Sequence, residues 1–171
     1  MSDLLNAIDA IDAHITDPQQ GLGADVFRLV SRLTPMVNVD LLVKNERGEI
    51  LLTWRSDEFY GPGWHIPGGI VRFKETFHAR IHAVAQSELD ARVEHDEMPC
   101  MVTQCINPTR QTRGHFISHL FACRLTSALK TSQKFERQNP INGRWAWHAS
   151  LPEDFISEQK EIYAPLFPEQ T

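Results

Sequence analysis

The chain has 171 residues, 42% hydrophobic and 23% charged, which fits one globular domain with a sizeable core and argues against disorder. Its formal net charge of −5 excludes a general attraction for nucleic acid or an anionic membrane, so any bound phosphate is met by a few local cations or a metal ion. Three cysteines without a CxxC pair argue against a disulfide framework or a zinc knuckle and fit a reducing cytoplasm.

The N-terminus, MSDLLNAIDAIDAHITD, is acidic and lacks the basic start and apolar core of a signal peptide. No run of 18 apolar residues is long enough to span a membrane. Leu4, Leu5, Ile8, Ile11 and Ile15 recur at helical spacing, and Asp17-Pro18 breaks that helix. Val26, Leu29, Val30 and Leu33 predict a second helix, stopped by Pro35. Residues 1–34 therefore read as a helical extension and 35–171 as the domain proper.

Val37, Val39, Leu41 and Val43 alternate with Asn38, Asp40 and Lys44, which predicts a strand. Asn45 to Gly48 make a turn, and Glu49 to Trp54 read as the returning strand of a hairpin. A Gly/Pro-rich loop over 59–64 leads to a second glycine turn at Gly68-Gly69. The stretch from Glu75 to Leu89 has no Gly or Pro and is the clearest helix. Strands are expected near 100–106, 115–124 and 144–148, with a polar loop from Lys130 to Gly143. Ser150-Leu151-Pro152-Glu153 has the form of a capping box opening a final helix. Strands on both sides of one central helix, with helices at both ends, predict an α/β (α+β) sandwich.

Glu88 carries the most chemical information. On a helix it falls in one stripe with Phe77, Ile81 and Val84, in the middle of an apolar face. An unpaired carboxylate there is costly, and a hard divalent cation, an arginine or an outward tilt at the helix end would each relieve it. Gly68-Gly69 lets backbone approach a ligand closely, although Pro-Gly-Gly also makes a plain turn. His78 and His82 form an HxxxH pair with no third ligand in a recognised pattern, so they read as solvated helix surface. Trp145 and Trp147 alternate on a strand, suited to stacking on a base or to filling a core or dimer interface.

Gly69 followed six positions on by Glu75 resembles the opening of the Nudix box. The later box positions read Ala83, Val84, Ser87, Glu88 and Asp90, so only the last glutamate survives. The flanking runs Thr34 to Asp40, Asn45 to Leu52 with Arg55, and Gly63 to Gly69 are similar to the GDP-mannose mannosyl hydrolases, whose box is also degenerate. The resemblance covers about residues 30–125 well. It implies a Nudix fold, a mixed β-sheet sandwiched between helices and here preceded by extra N-terminal helices.

In that family water displaces GDP from the sugar's anomeric carbon. The resemblance implies one Mg²⁺ (or Mn²⁺) held by the Gly68 carbonyl, Glu88 and a glutamine for which Gln138 stands in the corresponding loop. It implies that Arg55 steadies the leaving phosphate, that Asp40 sits near the diphosphate or sugar, and that His119 contributes to phosphate stabilisation. Each residue has a plainer reading: Arg55 a surface residue at a strand end, Asp40 a solvent-face strand residue, His119 a core histidine, Gln138 a solvated loop residue. The family's second phosphate arginine falls at Ile70, with Arg72 two positions on. Its general base falls at Asn139, leaving His115 or Glu136 as substitutes. The expected partner is a nucleotide sugar, with no nucleic acid or membrane, and the protein is expected to be a homodimer. A Nudix pyrophosphohydrolase and a nucleotide-binding module with little turnover are the alternatives.

Overall fold

A computed structural model describes residues 2–168. The N-terminal helices are α1 (Asp3–Asp12) and α2 (Ala24–Leu33). Ser2 caps α1, yet α1 buries none of its side chains, and Leu4, Leu5, Ile8 and Ile11 all stand exposed. Helix α2 is tied to the domain by Ser31, whose hydroxyl accepts from the Arg113 N–H at 3.2 Å.

Strands β1 (Met36–Val43), β2 (Ile50–Arg55), β3 (Gly63–His65) and β4 (Gly68–Ile70) precede helix α3 (Phe77–Leu89). After it come β5 (Val93–His95), β6 (Met101–Ile106), β7 (His115–Leu125), β8 (Trp145–His148) and helix α4 (Ser157–Tyr163). A five-stranded mixed sheet runs β4-β1-β7-β5, with β6 also on β7; β1 and β7 are parallel and the other pairs antiparallel. A second sheet runs β3-β2-β8. The sandwich expected from the sequence is thus present.

The expected hairpin forms only at its mouth. A single bridge, Lys44 to Ile50, joins β1 to β2, and the two strands then enter different sheets. The cause lies in composition: Ile50, Leu51 and Leu52 are all apolar, so β2 is buried on both faces between the two sheets' layers. On β1, Val39, Leu41 and Val43 pack under α3 against Ile81, Val84, Ala85 and Leu89, while Leu42 faces a second cluster with Trp54, Trp64, Ile66, Phe155 and Tyr163. Each fully buried aliphatic side chain contributes about 1.5–3 kcal/mol.

One further expectation is corrected, and one strand was not expected. Ser150 to Glu153 open no helix; α4 starts at Ser157 without a side-chain cap. Tertiary pairing draws the segment out instead: the Trp64 N–H donates to the Asp154 carbonyl at 2.8 Å, and the Ile156 N–H to the Trp64 carbonyl at 2.9 Å. Strand β5 went unseen because its three residues include one apolar side chain, Val93, too few for a pattern.

Thr76 caps α3, its hydroxyl accepting from the Ala79 N–H at 3.1 Å. At the other end Asp90 takes a left-handed conformation (φ 48°), where the Nudix box has glycine, and its carboxylate pairs with Lys130. Glu75, just ahead of α3, and Arg80, within it, form a two-point pair at 2.8 Å on each arm, and both are largely enclosed. Replacing Arg80 by Met strands the Glu75 charge and is expected to cost about 3–5 kcal/mol in urea unfolding. A loss near zero would show that water screens the pair.

Candidate active site

A cleft of about 420 Å³ opens between the two sheets, within the range of small-molecule sites. Asp40 on β1, Thr53 and Arg55 on β2, His65 on β3, Gly68 on β4, Glu88 near the end of α3 and Arg113 in the β6–β7 loop all line it. Of the residues singled out in the sequence, Asp40, Arg55, Gly68 and Glu88 therefore come together.

Asp40 lies on the β1 face opposite α3, buried to 2% exposure. Its carboxylate accepts from Asn38 Nδ2 at 2.6 Å, from the Tyr163 hydroxyl at 2.5 Å and from the Ser118 hydroxyl. Burial still outweighs these donors and pushes its pKa up to about 6. A Cβ added to Gly68 would stand 1.9 Å from Asp40 Oδ1, so only glycine fits beside this carboxylate.

Glu88 keeps 27% of its side chain exposed and lines the cleft. Its Oε2 lies 3.3 Å from the Thr53 hydroxyl and 4.0 Å from His65 Nε2. Burial raises its pKa to about 7, with Arg55 lowering it and Asp40 raising it further. Its apolar stripe is met as the sequence reading expected, and the helix end carries the carboxylate past the core into the cleft.

His65 is buried, and burial, reinforced by the charge of Arg55, lowers its pKa to about 4, so its ring is neutral. Its Nδ1 lies 2.9 Å from the Ile66 carbonyl, which only accepts, so Nδ1 carries the proton. Nε2 is left as an acceptor, 3.0 Å from the Thr53 hydroxyl, whose single proton it shares with Glu88 Oε2.

The positive side of the cleft is built from two loops. Arg55 Nε donates to Asp57 at 2.5 Å, and its guanidinium lies 4.7 Å from the Tyr60 ring centre. Among the described residues no hydrogen bond engages its Nη atoms, which leaves that edge for an anion. Arg113 lies 4.4 Å from the Phe59 ring and 5.2 Å from the Phe27 ring. Its Nε is buried with no partner among the described residues, an arrangement that an anionic ligand would complete.

Three singled-out residues lie elsewhere. Arg72 follows the end of β4, where the chain turns away, and its guanidinium reaches the Gln19 carbonyl at 3.4 Å. His119 is on the wrong face of β7: Phe116 and Ser118 line the cleft, whereas His119 packs 4.7 Å from the Phe77 ring of α3. Gln138 is exposed on its loop, as is Asn139. The part of that loop that reaches the cleft is Asn142-Gly143, fixed by Ser56 N–H to Asn142 Oδ1 at 2.9 Å and Gly143 N–H to the Trp54 carbonyl at 2.8 Å. His115 and Glu136, the substitute bases, do not line the cleft either. Trp145 is buried and Trp147 half-buried, both in the core under α3.

The sequence reading missed His65, Thr53 and Arg113. The one available signal for Arg113 was Arg110 and Arg113 three apart in a loop ending in Gly114, with Tyr60 and Phe59 to stack on.

The donor set fits one hard divalent cation. Glu88 and the glycine turn at Gly68 offer it oxygens, and a cation there would offset the burial that raises the Glu88 pKa. Asp40 and Glu88 titrate higher in the folded protein than in the unfolded chain. The stability they lend is thus complete below ordinary carboxylate pKa values and is lost as pH rises to about 6 and about 7. A divalent cation held at Glu88 reverses that loss. The Mg²⁺-induced rise in Tm is therefore expected to grow from about pH 5 to about pH 8. A pH-independent rise in differential scanning fluorimetry would contradict it.

Fold and cleft together define a phosphate-handling enzyme with room for a metal ion. The chain belongs to the Nudix family: the family model of the NUDIX domain matches residues 34–165. Nudix hydrolases act on nucleoside-diphosphate derivatives and generally use divalent metals such as Mg²⁺ or Mn²⁺. The chain is 32% identical over 93 residues to the low-salt glycan biosynthesis protein Agl8 of Haloferax volcanii, a match that covers 54% of each. It therefore spans about half the length of that curated relative. Its fold is similar to a possible asymmetric diadenosine tetraphosphate hydrolase from Jonesia denitrificans, with a TM-score of 0.60, 18% identity, and 81% of this chain and 99% of that one covered. A MutT Nudix hydrolase from Burkholderia pseudomallei gives a TM-score of 0.59 at 18% identity, covering 79% and 99%. No helix among the described residues is long and apolar enough to cross a membrane.

Proposed function

We propose that the protein hydrolyses a nucleoside-diphosphate sugar of the GDP-mannose type, releasing nucleoside diphosphate and free sugar by attack of water at the anomeric carbon. The observation that carries this reading is the charge pattern of the cleft. Glu88 is the one carboxylate that α3 puts there; Val84 is buried in the core, and Ser87 lines the cleft beside Glu88. That supports one metal ion rather than the two or more that attack at phosphorus commonly uses. The sequence relative's name, a glycan biosynthesis protein, fits a substrate drawn from activated sugars.

A Mg²⁺ (or Mn²⁺) held by Glu88 and the Gly68 carbonyl would neutralise charge on the departing diphosphate. The chain's own residues do the remainder. Arg55 holds the phosphates, the role the sequence implied for it, and Arg113 joins it in place of Arg72 and His119. Asp40, with a pKa near 6, is matched to take a proton from water at neutral pH. Its network to Ser118, Tyr163 and Asn38 fixes its direction.

Incubation with nucleotide sugars and Mg²⁺ followed by product analysis tests the reading. Nucleoside diphosphate plus free sugar is expected. Nucleoside monophosphate plus sugar phosphate would make the protein a pyrophosphohydrolase, and no products would make it a binding module.

A further inference from the structure

On the far side of α3 from the cleft, three histidines converge. His78 and His82 sit one turn apart on α3, and β5 brings His95 to them. Their ligand nitrogens all lie within 4.8 Å of one another, and His78 Nδ1 stands 2.9 Å from His95 Nε2. The three ring planes meet at 52° to 73°, so the rings are splayed around a common point rather than stacked.

We propose that His78, His82 and His95 form a second metal site, selective for a borderline first-row cation such as Zn²⁺. Two arguments support it. First, the ligand chemistry is imidazole only, which suits Zn²⁺, Co²⁺, Ni²⁺ or Cu²⁺ and not the hard Mg²⁺ of the cleft. Second, His95 is already oriented as metal-bound histidines are. Its Nδ1 lies 2.7 Å from the Asp96 carbonyl, so Nδ1 holds the proton and Nε2 presents a lone pair to the cluster. The Phe121 ring, 5.8 Å away, backs His95 from the core side.

Zinc–nitrogen bonds of about 2.0–2.1 Å require the three nitrogens to draw in somewhat from their present spacing. His78, exposed in the first turn of α3, has the freedom to do so. A bound ion would tie β5 to the helix that carries Glu88 and leave a fourth position for water. The sequence alone showed the HxxxH pair without its third ligand, because β5 was invisible in it.

The test is Co²⁺ titration of the full chain in excess Mg²⁺, read by the visible d–d absorption of a nitrogen-ligated, low-coordinate ion. One equivalent is expected to bind. His82→Gln and, separately, His95→Gln are expected to weaken it by at least roughly 10–100-fold, a loss that even outer partners of a metal typically produce. Glu88→Gln should leave the signal intact, because it alters only the cleft. The proposal is overturned if no spectrum develops in the wild-type chain. It is also overturned if the signal survives His82→Gln and His95→Gln, or if it disappears with Glu88→Gln alone. Far-ultraviolet circular dichroism and nucleotide-sugar turnover of His82→Gln report whether that variant is folded.

Discussion

Glu88→Gln is expected to lower turnover by roughly 10²–10³-fold or more, the scale of a lost transition-state electrostatic contact. The fold should survive, because the amide occupies the same volume and keeps the Thr53 hydroxyl within reach. What disappears is the one charged oxygen that α3 offers a cation. Affinity for Mg²⁺, measured by calorimetry, should fall in parallel. The variant should also be the more stable protein without metal near pH 8, because it no longer carries a poorly compensated buried charge. Unchanged Mg²⁺ affinity would show that Glu88 is a structural acid bonded to Thr53 and nothing more.

Arg55→Lys is expected to cut turnover about 10²–10³-fold while leaving the unfolding transition almost unmoved. Lysine preserves the charge beside Asp57 but loses the planar fork, so it cannot hold one arm on Asp57 and present the other edge to a phosphate. It also loses the flat contact with Tyr60. Arg113→Met should act on the same step, and the two substitutions should be non-additive, since both line the cleft where the diphosphate is proposed to sit. The kcat should fall more than KM rises if the arginines meet charge that develops in the transition state. Wild-type kcat in Arg55→Lys would reduce Arg55 to a partly exposed ion pair, worth little.

The parts of this site legible in the sequence are those set by local periodicity. Glu88 stood out because a carboxylate interrupts an apolar helical stripe, and the structure puts it at the cleft wall. Asp40 and Gly68 were legible through the strand and the glycine turn, although not their contact, which arises only when β4 pairs with β1. His119 was misplaced because period two says which residues share a face of β7 but not which face turns to the cleft. Arg113 was legible only as a loop arginine near Arg110, because its placement depends on Phe27, Phe59 and Ser31 from three distant segments. The β1–β2 hairpin failed because turn chemistry favours local pairing, whereas burial of β2 on both faces draws it into the second sheet.

The position of bond cleavage tests the central claim most directly. Attack at carbon mainly needs a stabilised leaving group, because a glycosyl transition state resembles an oxocarbenium ion. On the proposed reading, Glu88 as the single carboxylate ligand together with Arg55 and Arg113 would supply that. Attack at phosphorus asks for both incoming and outgoing oxygens to be held around a charged centre. Hydrolysis of a nucleotide sugar in ¹⁸O-labelled water, followed by mass spectrometry of both products, separates the two. Label on the anomeric hydroxyl of the sugar and none on the nucleotide is the predicted result. Label on phosphate would contradict it.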